Sequence, residues 1–306
     1  MKRYYSVSEI NSAVKNDAAE FVGECINEYE NRISAAASNI LENSTVDIVM
    51  LAGPSSSGKT TTANKIADGI KKHGKNAYII SLDDFYYNRS DIPINSDGLP
   101  DYENVKALDL PLIHKTFDEL IKERRAVLPV FNFSTGRREE QGRSIAIKSN
   151  DVVIVEGIHA LNPIFTKGLS EEHIYKIYIS VSSRMTTENG KILMTKRNLR
   201  FVRRMIRDYN FRNSSVEHTY FLWSGVRKGE DRFIFPFKGN ANEFINSMHP
   251  FEPCLFRDEA TELLGHIDEE NAYFDEAQRL KEAIERFEPI SEKLLPKDSL
   301  LREFIG

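Results

Sequence analysis

Residues 53–60 read GPSSSGKT, and this stretch decides the fold class of the chain. It follows the apolar run DIVMLA at 47–52 and precedes a helical pattern that includes Ile66 and Ile70. Small residues at GxxxxGK[ST] spacing let successive backbone N–H groups surround phosphate oxygens, and the helix that begins there adds the positive end of its dipole. The stretch therefore predicts a nucleotide-binding P-loop between a strand and a helix.

The P-loop motif also assigns individual contacts. Lys59 is expected to reach the outer phosphates and to act in catalysis, and Thr60 offers a hydroxyl to Mg²⁺. A glycine-rich turn with an incidental lysine would explain the same letters, but the flanking strand and helix argue against it. The predicted nucleotide-binding residues are Gly53, Ser55, Ser56, Ser57, Gly58, Lys59, Thr60 and Thr61.

Short apolar runs without alternation predict strands that are covered on both faces. They lie at 47–53, 77–82, 152–157 and 176–181. A strand, a helix and a second strand in that order imply a right-handed parallel crossover. We therefore expect an α/β P-loop NTPase fold, with a doubly wound, mainly parallel sheet and helices on both faces.

The segments around this sheet have their own patterns. Apolar residues at helical spacing predict helices over 18–41 and 110–124 and a helical C-terminal cap. The runs VLPVFNF at 127–133 and RSIAIK at 143–148 bracket the polar turn STGRREEQG, which predicts a β-hairpin flap.

Two carboxylate positions follow the ends of predicted strands, where ligands bind in open parallel sheets. Asp83, in the sequence DDFY, can accept a proton from an attacking hydroxyl, although a turn or helix cap would also explain its pairing with Asp84. Glu156 ends the buried run VVIVE, where a carboxylate needs a partner such as Mg²⁺. Helix capping is the alternative role for Glu156.

A basic stretch at 196–212 contains seven Lys or Arg residues among its seventeen. Its arginines recur at three- and four-residue steps that share one helix face. Such a face can form a lid that closes over a triphosphate, since phosphoryl transfer needs neutralisation of developing charge. A solvated face or a nucleic-acid patch would give the same pattern. The arginines of this face are Arg200, Arg203, Arg204 and Arg207.

These features favour a kinase. No guanine-reading NKxD motif is present in the sequence, so ATP is the expected phosphate donor. The formal net charge of −5 gives no global attraction to nucleic acid or to an acidic membrane. A kinase for a sugar phosphate or another non-nucleoside alcohol, and a nucleotide-dependent regulatory or RNA-associated binding protein, remain the alternatives.

The stretches GPSSSGKT, DDFY, VVIVEG and RRMIRD together resemble the uridine kinase and phosphoribulokinase family, over about 46–247. The resemblance implies an ATP- and Mg²⁺-dependent kinase for a hydroxyl of a nucleoside-like small molecule. It implies that Asp83 is the catalytic base and that Glu156 and Thr60 serve Mg²⁺. It also implies that Arg204 and Arg207 are catalytic lid arginines.

On the acceptor side the resemblance implies that Tyr86 and Glu103 bind the substrate. In the family, the flap carries a tyrosine and a histidine that read the pyrimidine. The flap of this chain reads PVFNFSTGR, so Phe131 and Gly136 stand at those positions. Neither side chain can supply the missing hydrogen bonds. We therefore expect Phe131 to contact the acceptor without selecting uridine.

The organisation of the chain follows from these assignments. We expect an N-terminal helical extension at 1–45, a P-loop kinase domain at 46–254 and a C-terminal helical extension packed on the kinase domain at 255–306. No signal peptide or apolar run of membrane-spanning length is visible, so a cytoplasmic location is expected. The two cysteines, Cys25 and Cys254, are expected to be buried thiols, and a homo-oligomer is left open.

Overall fold

The computed structural model describes residues 4–95 and 98–306. Its helices are α1 (Val7–Glu42), α2 (Lys59–Lys72), α3 (Leu110–Glu123), α4 (Lys196–Arg212), α5 (Val216–Gly229), α6 (Glu252–Leu264), α7 (Phe274–Ile284) and α8 (Arg302–Ile305). Its strands are β1 (Tyr4–Ser6), β2 (Ile48–Ala52), β3 (Ala77–Ser81), β4 (Arg125–Leu128), β5 (Phe131–Asn132), β6 (Arg137–Arg138), β7 (Arg143–Ala146), β8 (Val152–Glu156), β9 (Ile174–Ser180), β10 (Arg184–Thr186), β11 (Ile192–Met194) and β12 (Glu243–Asn246).

The central sheet has five strands in the order β12-β9-β2-β8-β3, and every neighbouring pair is parallel. This confirms the predicted α/β fold and the four predicted strands. The fifth strand, β12, was not predicted. It is an edge strand of only four residues, and Phe244 within it is exposed, so its sequence carries no buried apolar run.

Side chains of β2 alternate between two hydrophobic cores, and all five of its residues are buried. Val49 and Leu51 pack in the core that also includes residues of α1, α2 and the C-terminal helices. Ile48 and Met50 pack in the second core, together with residues of α3 and the flap. A strand that is covered on both faces needs apolar residues at every position, which explains the continuous run.

Helix α1 is longer than the helix predicted over 18–41. Asp17 has a non-helical conformation, with φ −158° and ψ 99°, and its Oδ1 accepts a hydrogen bond from the N–H of Glu20 at 2.9 Å. Asp17 therefore acts as an N-cap for the second part, which is the part that the apolar spacing predicts. Strand β1, just before α1, pairs with β10.

The flap differs from the single predicted hairpin because it has two tiers. β4 pairs with β7, and further out β5 pairs with β6, which lies inside the predicted turn. Arg138 in β6 donates to the carbonyl oxygens of Phe85 and Tyr86, both at 2.8 Å, and forms an ion pair with Asp109 at 2.9 Å. These contacts hold the polar segment against the rest of the protein. The partners are distant in sequence, so no local pattern could indicate this packing.

The C-terminal helices pack against the rest of the chain, with α6 and α8 contacting α4 and α7 contacting β11. Cys25 and Cys254 are both buried free thiols. Among the described residues, no helix combines the length and the apolar character that crossing a membrane requires.

Candidate active site

The P-loop turn between β2 and α2 depends on its two glycines. A Cβ on Gly53 would lie 2.2 Å from the carbonyl oxygen of Ile179, so only glycine allows this close approach to β9. Gly58 has φ +82°, a left-handed conformation that glycine adopts without strain. A Cβ at Gly58 would also lie 2.5 Å from Cδ1 of Leu300. Steric contacts and backbone conformation thus explain why glycine stands at both positions of the motif in this chain.

Two buried arginines of α4 hold the P-loop from outside. Arg200 Nη1 donates to the carbonyl oxygen of Ser55 at 3.0 Å, and Arg203 Nη1 donates to that of Ser56 at 3.2 Å. Because C=O and N–H point in opposite directions across a trans peptide, the Arg200 bond turns the N–H of Ser56 away from α4, where it can face a phosphate. The N–H of Ser57, across the peptide from the Ser56 carbonyl, donates to the carbonyl oxygen of Pro54 at 3.2 Å. Ser56 itself has a left-handed φ of 57°, which the arginine contact helps to maintain.

The sequence predicted that the arginine face of α4 forms a lid over the triphosphate. Arg200 and Arg203 do not belong to such a lid. Arg200 Nη2 pairs with Glu230 at 2.7 Å, and Arg203 Nε pairs with Glu252 at 2.8 Å. All four side chains are buried, with exposed fractions of 3% or less. The correction has a physical reason, since a buried guanidinium needs a carboxylate partner and packs where that partner lies.

The arginines of α4 that line the nucleotide-side pocket share one carboxylate, Asp208, which is only 5% exposed. Arg204 Nε lies 3.1 Å from its Oδ2, and Arg207 Nη2 lies 2.7 Å from its Oδ1. Arg212 Nε approaches the same Oδ1 at 3.5 Å. Arg204 also donates to the hydroxyl of Ser55 at 3.0 Å. Asp208 thus orients three cations toward a single pocket.

Most of the predicted site residues line one pocket of about 630 Å³. Gly53, Ser57 and Phe131 are packed behind its lining. The structure adds other lining residues that the sequence reasoning did not name, among them Arg89, Tyr102, Phe133, Arg212 and Glu303. The predicted residues that line the pocket are Ser55, Ser56, Gly58, Lys59, Thr60, Thr61, Asp83, Tyr86, Glu103, Glu156, Arg204 and Arg207.

Asp83 and Glu156 form the acidic part of this pocket. Burial raises the pKa of Asp83, while the charge of Lys59 opposes the rise. Burial also raises the pKa of Glu156, and the charge of Asp83 adds to that rise. Glu156 Oε1 accepts hydrogen bonds from Ser81 Oγ at 2.9 Å and from Thr60 Oγ1 at 3.3 Å. A cation beside these two carboxylates would relieve their mutual repulsion.

The oxygen ligands here fit Mg²⁺. No group of three or more His, Cys, Asp or Glu side chains with metal-binding geometry occurs within residues 4–95 and 98–306. Mg²⁺ is ordinarily held by one or two carboxylates together with phosphate oxygens and water. Glu156 and the hydroxyl of Thr60 supply the protein's part of that set, and Asp83 adds a second negative charge beside them.

Another part of the pocket is aromatic. Tyr86 contacts Tyr102, Phe131 and Phe133, with ring centroids 5.2, 5.8 and 6.3 Å apart. Its hydroxyl donates to the carbonyl oxygen of Tyr102 at 2.9 Å. Phe131 is buried beneath this cluster, whereas Phe133 is 55% exposed and lines the pocket. Because of the two-tiered flap, the ring of Phe133 lines the pocket, which is the position that was expected from the sequence for Phe131.

Gly136 also has a structural role that its position in the flap motif did not indicate. Its φ of +68° forms the turn between β5 and β6, and a Cβ there would lie 2.8 Å from Arg89 Nε. Arg89 in turn donates to the hydroxyl of Tyr102 at 3.1 Å and to the carbonyl oxygen of Phe133 at 3.0 Å. A larger residue at Gly136 would therefore displace the aromatic wall.

Glu103 lies against α5 at the aromatic end. A Cβ on Gly229 would be 2.3 Å from Cβ of Glu103, so this glycine permits the approach. Glu103 Oε2 is buried and makes no hydrogen bond within the described part of the chain. Burial raises the pKa of Glu103 to about 7, although Arg204 opposes that rise. An orphaned buried carboxylate oxygen is the feature that a hydroxyl-bearing ligand would satisfy.

Comparison with known proteins identifies the family. The sequence profile of the Phosphoribulokinase / Uridine kinase family matches residues 48–251. The chain is 28% identical to a uridine kinase from Lactobacillus helveticus over 199 residues, which are 65% of this chain and 85% of that protein. It is 29% identical to a uridine kinase from Ureaplasma urealyticum over 196 residues, which are 64% of this chain and 85% of that protein.

Among solved structures, the fold is similar to that of a protein provisionally described as a fructose transport system kinase from Silicibacter sp. TM1040. The TM-score is 0.50 at 15% identity, covering 69% of this chain and 98% of the other. The P-loop, the strand-end carboxylates and the arginine helix all lie within the segment that the family profile matches. The chain belongs to the phosphoribulokinase / uridine kinase family and is an ATP-dependent kinase.

Proposed function

We propose that this kinase transfers the γ-phosphate of ATP to a hydroxyl group of a nucleoside. One observation carries the proposal: a single pocket joins the P-loop and Asp83 to an aromatic wall with an unsatisfied carboxylate, Glu103. Aromatic rings suit a nucleobase, and a carboxylate suits the hydroxyl groups of a ribose. The uridine kinases to which the chain is similar support the same acceptor class.

In the proposed mechanism, the N–H groups of the P-loop and the Lys59 ammonium bind the triphosphate of ATP. Thr60 and Glu156 would hold Mg²⁺, which supplies charge neutralisation at the phosphates. Glu103 and the aromatic wall hold the acceptor so that its hydroxyl faces Asp83. Binding in one pocket replaces a bimolecular encounter by a positioned pair of reactants.

Transfer itself follows from these positions. The acceptor oxygen forms a bond to the γ-phosphorus while the bond from that phosphorus to the β,γ-bridging oxygen breaks, which leaves ADP. Asp83 takes the proton of the acceptor hydroxyl, and its raised pKa makes it a better base than an exposed aspartate. Arg204 and Arg207 neutralise charge that develops on the transferred group, in the orientation fixed by Asp208.

Base selection by the proposed site is permissive. Phe131 and Gly136 occupy the flap positions whose side chains read the pyrimidine in the family, and Phe133 offers only a ring face. A pocket without hydrogen bonds to the base discriminates weakly between bases, whereas one that depends on such bonds discriminates strongly. We therefore expect kcat/KM to differ by less than about 100-fold among nucleosides with different bases.

An acceptor panel tests the proposed function. ADP release is measured with uridine, cytidine, adenosine and guanosine, and in parallel with fructose and glycerate. Stimulation by the nucleosides above the rate without acceptor is the expected result, and product phosphorylation is checked by mass spectrometry. Stimulation by the sugar or the glycerate alone would contradict the nucleoside assignment while leaving the kinase assignment intact.

The raised pKa of Glu103 predicts a pH dependence of acceptor binding. Below pH 7 Glu103 is mostly protonated, and above it the carboxylate can accept hydrogen bonds from ribose hydroxyls. The KM for the nucleoside is therefore expected to fall as the pH rises from 6 to 8, and Glu103→Gln should abolish this trend. A KM that varies equally in both proteins would show that another group titrates.

The pH dependence of the free energy of unfolding gives an independent measurement of the protonation of Glu103. The pKa of Glu103 in the folded protein, about 7, lies above the usual glutamate pKa of 4.5, so the folded state binds this proton more tightly than the unfolded chain. The contribution of Glu103 to the free energy of unfolding is therefore largest below pH 4.5 and decreases as the pH rises through 7. Glu103→Gln should remove this slope, as measured by chemical denaturation across that range.

A further inference from the structure

The C-terminal segment 298–304 packs beside the P-loop and contributes Glu303 to the lining of its pocket, although the segment lies outside the residues that the family profile matches. Residues of this segment contact the P-loop, α4 and α2. Leu300 packs against Gly58, and the ring of Phe304 lies 5.1 Å from the guanidinium carbon of Arg203. Asp298 pairs with Lys65 of α2 at 3.1 Å. These contacts make the segment a fixed part of the nucleotide site.

Glu303 is the residue of this segment that faces the pocket. Its Oε2 accepts a hydrogen bond from Thr61 Oγ1 at 2.6 Å. Its side chain is partly exposed and lines the same cavity as Lys59 and Thr60. One carboxylate oxygen is thereby oriented by the P-loop helix, and the group retains lone pairs that a ligand can use.

The two ends of the pocket decide which part of a ligand Glu303 meets. Lys59 and Thr60 bind the outer phosphates, and Asp83 and Tyr86 mark the side from which the acceptor approaches. Thr61 follows Thr60 along α2, so Glu303 lies next to the residues that the proposed function assigns to the phosphates. A carboxylate repels phosphate oxygens, so Glu303 is suited to an uncharged, hydroxyl-bearing group.

We propose that Glu303 binds the ribose hydroxyls of the donor nucleotide and makes the kinase select donors with an intact ribose. The inference rests on the proposed function, because it requires ATP as donor. The ribose is the first uncharged group after the phosphates, and its hydroxyls can donate to the lone pairs that Glu303 retains. Acidic side chains hold ribose hydroxyls in this way in other nucleotide-binding folds.

Equilibrium binding without acceptor tests the proposal. Isothermal titration calorimetry compares ATP with 2′,3′-dideoxy-ATP on the wild-type protein and on Glu303→Ala. We expect the wild type to bind ATP about 10-fold more tightly than the dideoxy nucleotide, since hydrogen bonds to a charged group are involved. The variant should bind the two nucleotides equally, because only the contact to the hydroxyls is lost.

A matched control and a conservative variant separate this role from a structural one. Glu282→Ala removes an exposed carboxylate of α7 and should retain the wild-type preference. Glu303→Gln keeps the size of the side chain and should reduce the preference, which provides the test if the alanine variant does not fold. Equal weakening of both nucleotides, or tighter ATP binding by either Glu303 variant, would overturn the inference.

The outcomes also distinguish this inference from the proposed function. A wild-type protein that binds ATP without preferring it over the dideoxy nucleotide overturns only the role of Glu303. A wild-type protein that binds neither nucleotide overturns both. Loss of the preference in Glu303→Ala supports the ribose contact whichever acceptor the enzyme uses, because no acceptor is present in the measurement.

Discussion

Replacing Asp83 with asparagine is expected to lower kcat by about 10²–10⁴-fold, the usual contribution of a positioned general base. Asparagine preserves the size of the side chain but cannot accept the proton of the acceptor hydroxyl. The Kd for ATP should remain largely unchanged, because the P-loop contacts to the phosphates are intact. Initial rates at saturating acceptor, together with ATP titrations, measure both quantities.

The neighbouring carboxylate provides the control for this experiment. Asp84 Oδ1 accepts a hydrogen bond from the backbone N–H of Phe131 at 3.3 Å, which an asparagine oxygen can also accept. Asp84→Asn should therefore reduce kcat far less than Asp83→Asn. If the two variants have similar kcat values, or if Asp83→Asn retains wild-type turnover, Asp83 is not the base.

Replacing Arg203 with alanine is expected to lower the free energy of unfolding by about 3–5 kcal/mol, the cost of breaking a buried ion pair on one side. Glu252 is fully buried and would lose its cationic partner. Burial alone would raise the pKa of Glu252, but Arg203 and His249 outweigh it and hold that pKa below its usual range. Chemical denaturation monitored by circular dichroism measures the loss.

The same substitution should also weaken ATP binding, since it releases the carbonyl oxygen of Ser56. Arg197→Ala, on the same helix, is the matched control, because Arg197 pairs with Asp231 at the surface and should cost less than about 1 kcal/mol. The double variant Arg203→Met with Glu252→Gln should recover much of the stability. A loss from Arg203→Ala no larger than that from Arg197→Ala would contradict the structural role of Arg203.

The spacing of residues in the sequence was sufficient to predict the local features of this protein. The P-loop needs only glycines and a lysine at fixed positions between a strand and a helix, and both elements have periodic apolar patterns. Strands buried on both faces stand out because every position is apolar, so four of the five central strands were predicted. The edge strand Glu243–Asn246 carries no such run and was missed.

Some residues of the candidate site had weaker local signals that could have been used. Asp208 stands four residues after Arg204, a spacing that favours an ion pair on a helix. Arg212 belongs to the same basic run. Phe133 could not be separated from Phe131, since the direction of each ring depends on how β5 pairs with β6. The two-tiered flap decides that direction.

The sequence by itself determined the P-loop, the parallel sheet around it and the presence of an arginine-rich helix. Only the tertiary structure decided what each arginine does. Arg200 and Arg203 turn toward carboxylates that lie 30 and 49 residues away along the chain, whereas Arg204 faces the pocket. Likewise, only folding brings Glu303 to Thr61, across 242 residues. Periodicity defines a helix face, but burial and distant partners determine what that face contacts.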